Sequence, residues 1–177
     1  MPRITVPADT DPFSHLWSAL GPPAIKSAAH QMTEAVYQRS SLSMREFEVA
    51  RVRIWYVNDC LTCRNFRSAR DVPEREGPLQ VMKEEDYEHV LDPDWEGYSE
   101  RERLAIEFAE RFALDHTSFR AELWDRLHAN FTDDELVDLS ICVGWFIASG
   151  RVNRVFEIDG AGCQIPPERI WERARQG

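Results

Sequence analysis

Apolar residues recur along this chain at spacings of three and four, and strictly alternating runs of the kind that build half-buried strands are scarce. After Ser99, the residues Leu104, Ile106, Phe108, Ala109 and Phe112 return at helical spacing with Glu and Arg between them. After Thr132, Leu136, Val137, Leu139 and Val143 do the same. Three helix starts carry a further mark. Ser43 with Glu46, Ser99 with Glu102 and Thr132 with Glu135 match the capping-box spacing, in which two side chains satisfy the first backbone N–H groups of a helix. Breaks fall at Gly21-Pro22-Pro23, Gly77-Pro78, Asp92-Pro93, Gly160 to Gly162 and Pro166-Pro167. Together these signals predict helices over about 13–20, 23–38, 43–57, 60–70, 83–90, 99–114, 118–129, 132–157 and 167–175. The expected class is all-α, a single domain over 1–177 with N-terminal helices about 13–38, a core about 42–158 and a C-terminal helix. The helix from Thr132 is apolar around most of its circumference through Ile141, Cys142, Val143, Trp145, Phe146 and Ile147. It is therefore expected to be the central core helix or a surface on which subunits pack.

Composition narrows the function classes. With 177 residues and 43 % hydrophobic content the chain can bury the core of one domain. It shows no internal repeat, low-complexity tract or linker. A formal net charge of −10 argues against a nucleic-acid surface, which needs clustered Lys and Arg to neutralise phosphates. The segment MPRITVPADTDPF lacks the apolar stretch of a secretory signal. The longest nearly uncharged apolar run, Leu139 to Ala148, is well short of the roughly 20 residues that cross a membrane. The expected location is the cytosol. There, four cysteines do not build a disulfide framework, so a close CxxC points to redox chemistry or metal binding.

That pair is Cys60 and Cys63, in NDCLTCRNFR. If a helix begins near Cys60, then Cys60, Cys63 and Arg67 lie on one side within an arc of roughly 60°. A thiol in the first turn of a helix is near the positive end of the macrodipole, which favours the thiolate, and a second thiol one turn away can resolve an adduct. Arg67 adds fixed positive charge but cannot accept a proton at neutral pH. A zinc site needs four ligands; no second CxxC or closely spaced His pair supplies the other two, so no metal or cofactor is expected. Glu48, 12 residues before Cys60, falls between Val52 and Trp55 in an apolar sector of its helix, where a carboxylate needs a partner; Arg67 is the candidate. Cys142 and Cys163 are isolated and read as small buried hydrophobes. His15, His30, His89, His116 and His128 show no ligand spacing and read as surface or capping residues. Trp17, Trp55, Trp95, Trp124, Trp145 and Trp171 read as core or interface residues.

At these residues the chain resembles the AhpD-like and carboxymuconolactone decarboxylase superfamily. The superfamily stretch ELVxLRxAxxNxCxYCxxxH is similar to Glu48-Val-Ala-Arg-Val-Arg-Ile-Trp-Tyr-Val-Asn-Asp-Cys60-Leu-Thr-Cys63-Arg-Asn-Phe-Arg67, with matching Glu-to-Cys spacing. Tyr98 to Ala109, Phe131 to Leu139 and Asn153-Arg154 continue the similarity, which covers most of residues 42 to 158. The resemblance implies an all-helical subunit that assembles through its helices into trimers or hexamers. It implies a CxxC centre that reduces small peroxides or a peroxiredoxin partner, with a lipoyl-bearing protein as a source of electrons. By it, Cys63 attacks first and Cys60 closes the disulfide, whereas the helix dipole alone favours Cys60. The departure is Arg67, which stands where the family has its proton-relay histidine; arginine keeps charge but cannot shuttle protons.

Two other functions compete. Decarboxylation of a lactone acid is the superfamily's other named activity, and it does not depend on a CxxC. A non-catalytic helical oligomer that senses oxidation or binds a small apolar ligand is the other, motivated by Arg67.

Overall fold

Ser43, Ser99 and Thr132 each accept the backbone N–H of the residue three positions on, and Glu46, Glu102 and Glu135 each reach back to the cap's own N–H, so all three expected capping boxes form. The computed structural model describes residues 1–68 and 82–158, and within them the regular structure is entirely helical. Helix α1 is Pro12–Ser14, continued by a π turn at His15–Ala19; α2 is Pro23–Arg39 and α3 Met44–Asn58. Helix α4 is Leu61–Asn65, α5 Glu84–Glu88, α6 Glu100–Leu114, α7 Ala121–Asn130 and α8 Asp133–Val155. The helix expected at 167–175, with Cys163 and Trp171, lies outside the described residues.

One expected helix is cut short. Residues 60–70 read as one helix, but α4 stops at Asn65 and Phe66 is extended, with φ −82° and ψ 139°. The cause is tertiary: Arg51 of α3 takes the carbonyls of Cys63 and Phe66 at 2.9 Å each, so these oxygens are satisfied without a continuing helix.

Helices α3, α6 and α8 run parallel. Arg45 pairs with Glu102 and Arg53 with Glu110, both 57 positions apart, which sets α3 beside α6 in one direction. At the common N-terminal end, Arg101 of α6 bridges Glu46 of α3 and Glu135 of α8. At the far end of α3, Asn58 donates to the carbonyls of Phe146 and Ile147 in α8. The capping glutamates thus serve twice, closing their own helix ends and tying three helices together. Parallel neighbours need a return path between them. Helix α7 provides it between α6 and α8, and the segment that begins with the two cysteines starts it between α3 and α6.

Among the described helices the most enclosed is α3. Phe47, Val49, Ala50, Val52 and Ile54 are buried, packed among Leu104, Ala105 and Phe108 of α6 and Leu139, Val143 and Phe146 of α8. Of the two roles expected for α8, central core helix or packing surface for subunits, the first falls to α3 among the described residues. Helix α8 buries Leu136, Leu139, Cys142, Val143, Phe146 and Gly150 on one side but leaves Val137, Ile141 and Val155 exposed on the other. Among the described residues, α8 meets α3 and α6 on its buried side and the N-terminal part through Trp17, which packs near Trp145 and bonds Asn153.

The contrast between the two sides of α8 is directly measurable. Leu139→Ala, at a fully buried site, is expected to lower unfolding stability by about 2–5 kcal/mol. Val137→Ala, at a site 59 % exposed, is expected to stay within about 0.5 kcal/mol of the natural protein. Urea titration of both variants checks the pair.

Candidate functional site

The turn that carries the cysteines begins where α3 ends. Asp59 adopts the left-handed region at φ 50°, and its N–H closes the last turn onto Trp55 and Tyr56. A short polar side chain tolerates that geometry better than a branched one. The chain then reverses, with Cys60 as the N-cap of α4: its Sγ accepts the N–H of Cys63 at 3.2 Å. Cys60 and Cys63 form a disulfide with their Cα atoms 5.3 Å apart. Cys60 is fully buried, whereas Cys63 is partly exposed.

Beneath the turn lies a buried ion pair. Glu48 and Arg51 face each other in a bidentate arrangement, Nε and Nη2 to the two carboxylate oxygens at 2.8 Å each, with both side chains essentially inaccessible. The same guanidinium holds the carbonyls of Cys63 and Phe66. Glu48 in turn accepts the backbone N–H of Ser68 at 2.9 Å and the hydroxyl of Tyr87 at 3.0 Å. Burial pushes the Glu48 carboxyl up, but Arg51 and the Ser68 N–H more than offset it, so the group is held below the usual carboxylate range. Burial and the Glu48 charge push the Tyr87 hydroxyl upward, which keeps it a protonated donor. Phe66 is fixed from the other side, with its ring edge-on to Tyr37, which also meets Phe47 and Phe146.

Arg67 does not partner Glu48, contrary to expectation. Its guanidinium pairs with Glu84 of α5 at 3.1 Å and lies 4.1 Å from the centre of the Tyr87 ring. Arg51 fills the predicted role because it stands three residues after Glu48 on the same helix face, a shorter reach than one across the turn. That spacing was readable in the sequence. Tyr87 and Ser68 were not, since nothing local ties them to residue 48.

Other expected positions resolve as follows. Cys142 is buried, its Sγ 3.4 Å from Asp138 Oδ1. His30 meets the Trp17 carbonyl, His89 stacks on Trp95, and His128 stacks on Trp124 near Asp133. Of the six tryptophans, Trp55 is buried, Trp17 bonds Asn153 through its Nε1 and packs near Trp145, and Trp124 is exposed. Arg154 joins the site's surroundings through a 3.2 Å ion pair with Asp59, whereas Asn153 accepts from Trp17. Asn58 sits against Gly150, where a Cβ would lie 2.5 Å from its Nδ2, so glycine lets α8 approach the turn. Among the described residues no helix is long and apolar enough to cross a membrane.

The buried pair makes a pH-dependent contribution of definite sign. A carboxyl whose value is lowered by folding adds stability that is fully present above its ordinary value, about 4.5, and is lost as pH falls through the depressed folded value. Glu48→Gln leaves Arg51 buried without its counter-charge and is expected to cost about 3–5 kcal/mol at pH 7. The gap to the natural protein is expected to narrow as pH is lowered from 4.5, which urea unfolding at several pH values measures.

No family model matches the chain. A stretch of 73 residues is 34 % identical to the uncharacterized protein YnjA of Escherichia coli (strain K12), covering 41 % of this chain and 40 % of that protein. The chain thus matches less than half the length of that relative.

Proposed function

We propose that the protein is a thiol–disulfide oxidoreductase of the AhpD-like type, working in the cytosol through Cys60 and Cys63. The observation that carries this is the disulfide itself: the partly exposed Cys63 is joined to a buried Cys60 whose sulfur already accepts a helix N–H. In reduction, a partner thiolate attacks Cys63 Sγ, the Cys60–Cys63 bond breaks, and Cys60 leaves as a thiolate stabilised by the Cys63 N–H. A second partner thiolate then attacks the partner's own sulfur in the mixed disulfide. Cys63 leaves as a thiolate, the partner departs as a disulfide, and two electrons have passed to the protein. Run backward, Cys63 is the nucleophile, as the family resemblance implies.

The surroundings favour exchange with a dithiol or disulfide partner, lipoyl-bearing or peroxiredoxin-like, over direct peroxide turnover. Reducing a peroxide requires a proton for the departing oxygen. Glu48 is held ionised by Arg51, and Arg67 is permanently charged and paired with Glu84, so neither completes the relay that the family builds with histidine. The exposed Val137, Ile141 and Val155 on α8 support the assembly into trimers or hexamers that the same resemblance implies.

Two measurements test this. After mixing with the disulfide form of a dithiol, the free Cys63 thiolate of Cys60→Ser is expected to attack it and accumulate a mixed disulfide by mass spectrometry, and Cys63→Ser to accumulate none on the buried Cys60; the opposite pattern reverses the order. In a peroxide-consumption assay with a dithiol donor, Arg67→His is expected to turn over at least about ten-fold faster than the natural protein, in line with the usual worth of a general acid or base. Oxidation without turnover in either protein favours the sensing alternative. An activity that survives replacement of both cysteines by Ser favours the decarboxylase alternative.

A further inference from the structure

We propose that the exchange partner of this disulfide is an anionic thiol, one that carries a carboxylate close to its sulfur and is recognised by Arg64 and Arg151. This rests on the oxidoreductase reading above and narrows its substrate class, away from an amide-linked lipoyl group, whose thiols carry no nearby carboxylate.

The chain has 31 Asp and Glu against 21 Lys and Arg, yet the segment around the cysteines is met by arginines from three elements. Arg51 of α3 binds the Cys63 carbonyl, Arg64 and Arg67 belong to the segment, and Arg151 and Arg154 reach it from α8. Three of the five are neutralised: Arg51 by Glu48, Arg67 by Glu84 and Arg154 by Asp59. Arg64 and Arg151 are not. Among the described residues, neither meets a carboxylate; both are exposed, and each is held by a neutral group. The Arg64 guanidinium lies 5.8 Å from the centre of the Trp55 ring, and Arg151 Nε donates to Asn58 Oδ1 at 3.2 Å.

Their placement relative to the sulfurs matters more than their number. Arg64 directly follows the partly exposed Cys63 in the chain, and Arg151 is fastened to Asn58, two residues before Cys60, so two cations that meet no carboxylate among the described residues bracket the cysteine pair along the turn. Neutral anchors restrict each side chain while leaving its charge and most of its N–H donors available, the condition under which arginine recognises a carboxylate. The attacking species is itself an anion, and its charge spreads along the sulfurs as the bond exchanges. A local positive field raises the encounter rate and stabilises that distribution, and a second negative charge on the attacker gains most. Chemically the step is the one given above: two equivalents of thiolate become one disulfide, and Cys60 and Cys63 become thiolates.

The test reduces the oxidised natural protein with thioglycolate, 2-mercaptoethanol and cysteamine, which are anionic, neutral and cationic beyond their sulfur. Each rate is expressed per thiolate and divided by the rate of the same thiol with a small reference disulfide. The expected order is thioglycolate fastest and cysteamine slowest, with roughly a ten-fold span at low salt. That span is expected to collapse in 1 M salt, where the screening length falls to about 3 Å. It is also expected to collapse in the double variant R64Q/R151Q and to return in R64K/R151K, which keeps the charges. Equal normalised rates in the natural protein, or an order that persists in R64Q/R151Q, overturns the anionic preference alone. Failure of all three thiols to reduce the disulfide overturns the oxidoreductase reading and the preference with it.

Discussion

The buried pair between Glu48 and Arg51 is the interaction on which the rest of the site depends. Two charges withdrawn from water are costly unless nearly every donor and acceptor finds a partner. Here the requirement reaches beyond the pair. Arg51 has donors left after Glu48 is served, and these take the Cys63 and Phe66 carbonyls; Glu48 has lone pairs left, and these take Ser68 N–H and Tyr87 O–H. Satisfying one ion pair therefore prescribes where α4 ends, how the chain folds back along α3, and which side of α5 faces inward. The cysteine turn is positioned by electrostatics inherited from a neighbouring helix.

The second constraint is the parallel arrangement of α3, α6 and α8. Their N-termini are gathered at one end, where the dipoles of three helices point the same way, and the capping glutamates of α3, α6 and α8 are each bound by an arginine from a neighbour. Negative charge at each helix start is favourable by itself, and the arginines prevent those charges from repelling one another. Because parallel helices cannot be joined by tight turns, the fold is obliged to contain a long return beside α3. The cysteine turn occupies the beginning of that return, supported by α3 but not part of it.

Placed against this frame, the electrostatic character of the turn has a simple origin. Among the described residues, Glu48, Glu84 and Asp59 are each engaged by an arginine at the turn, and Arg64 and Arg151 meet no carboxylate, in a molecule whose total charge has the opposite sign. The groups that resemble a proton relay by their spacing are, in three dimensions, the anchors of the turn. The sulfurs are thereby set apart from the buried charges below them: Cys60 Sγ meets a backbone N–H, Cys63 is partly exposed, and Glu48 is held by Arg51.

Sequence alone determined the helical class and the start of its main helices, because capping boxes and three-to-four spacing are local: a Ser or Thr and a Glu three residues on bond to the same few backbone groups in any context. It also singled out Cys60 and Cys63, whose separation by one helical turn brings their sulfurs together without help from the rest of the chain. Partner choice was another matter. Glu48 was legible as a buried carboxylate in need of a cation and Arg67 was the expected partner; the packed structure pairs it instead with Arg51, three residues on along the same helix face. Likewise α8 is apolar enough to be central, yet α3, with three charged residues on its buried faces, is the one enclosed. Periodicity records how much apolar surface a helix has; which helix is surrounded depends on how many neighbours the topology places around it. The early end of α4 has the same cause, since its last carbonyls are claimed by a guanidinium from another helix, a contact with no trace in local sequence.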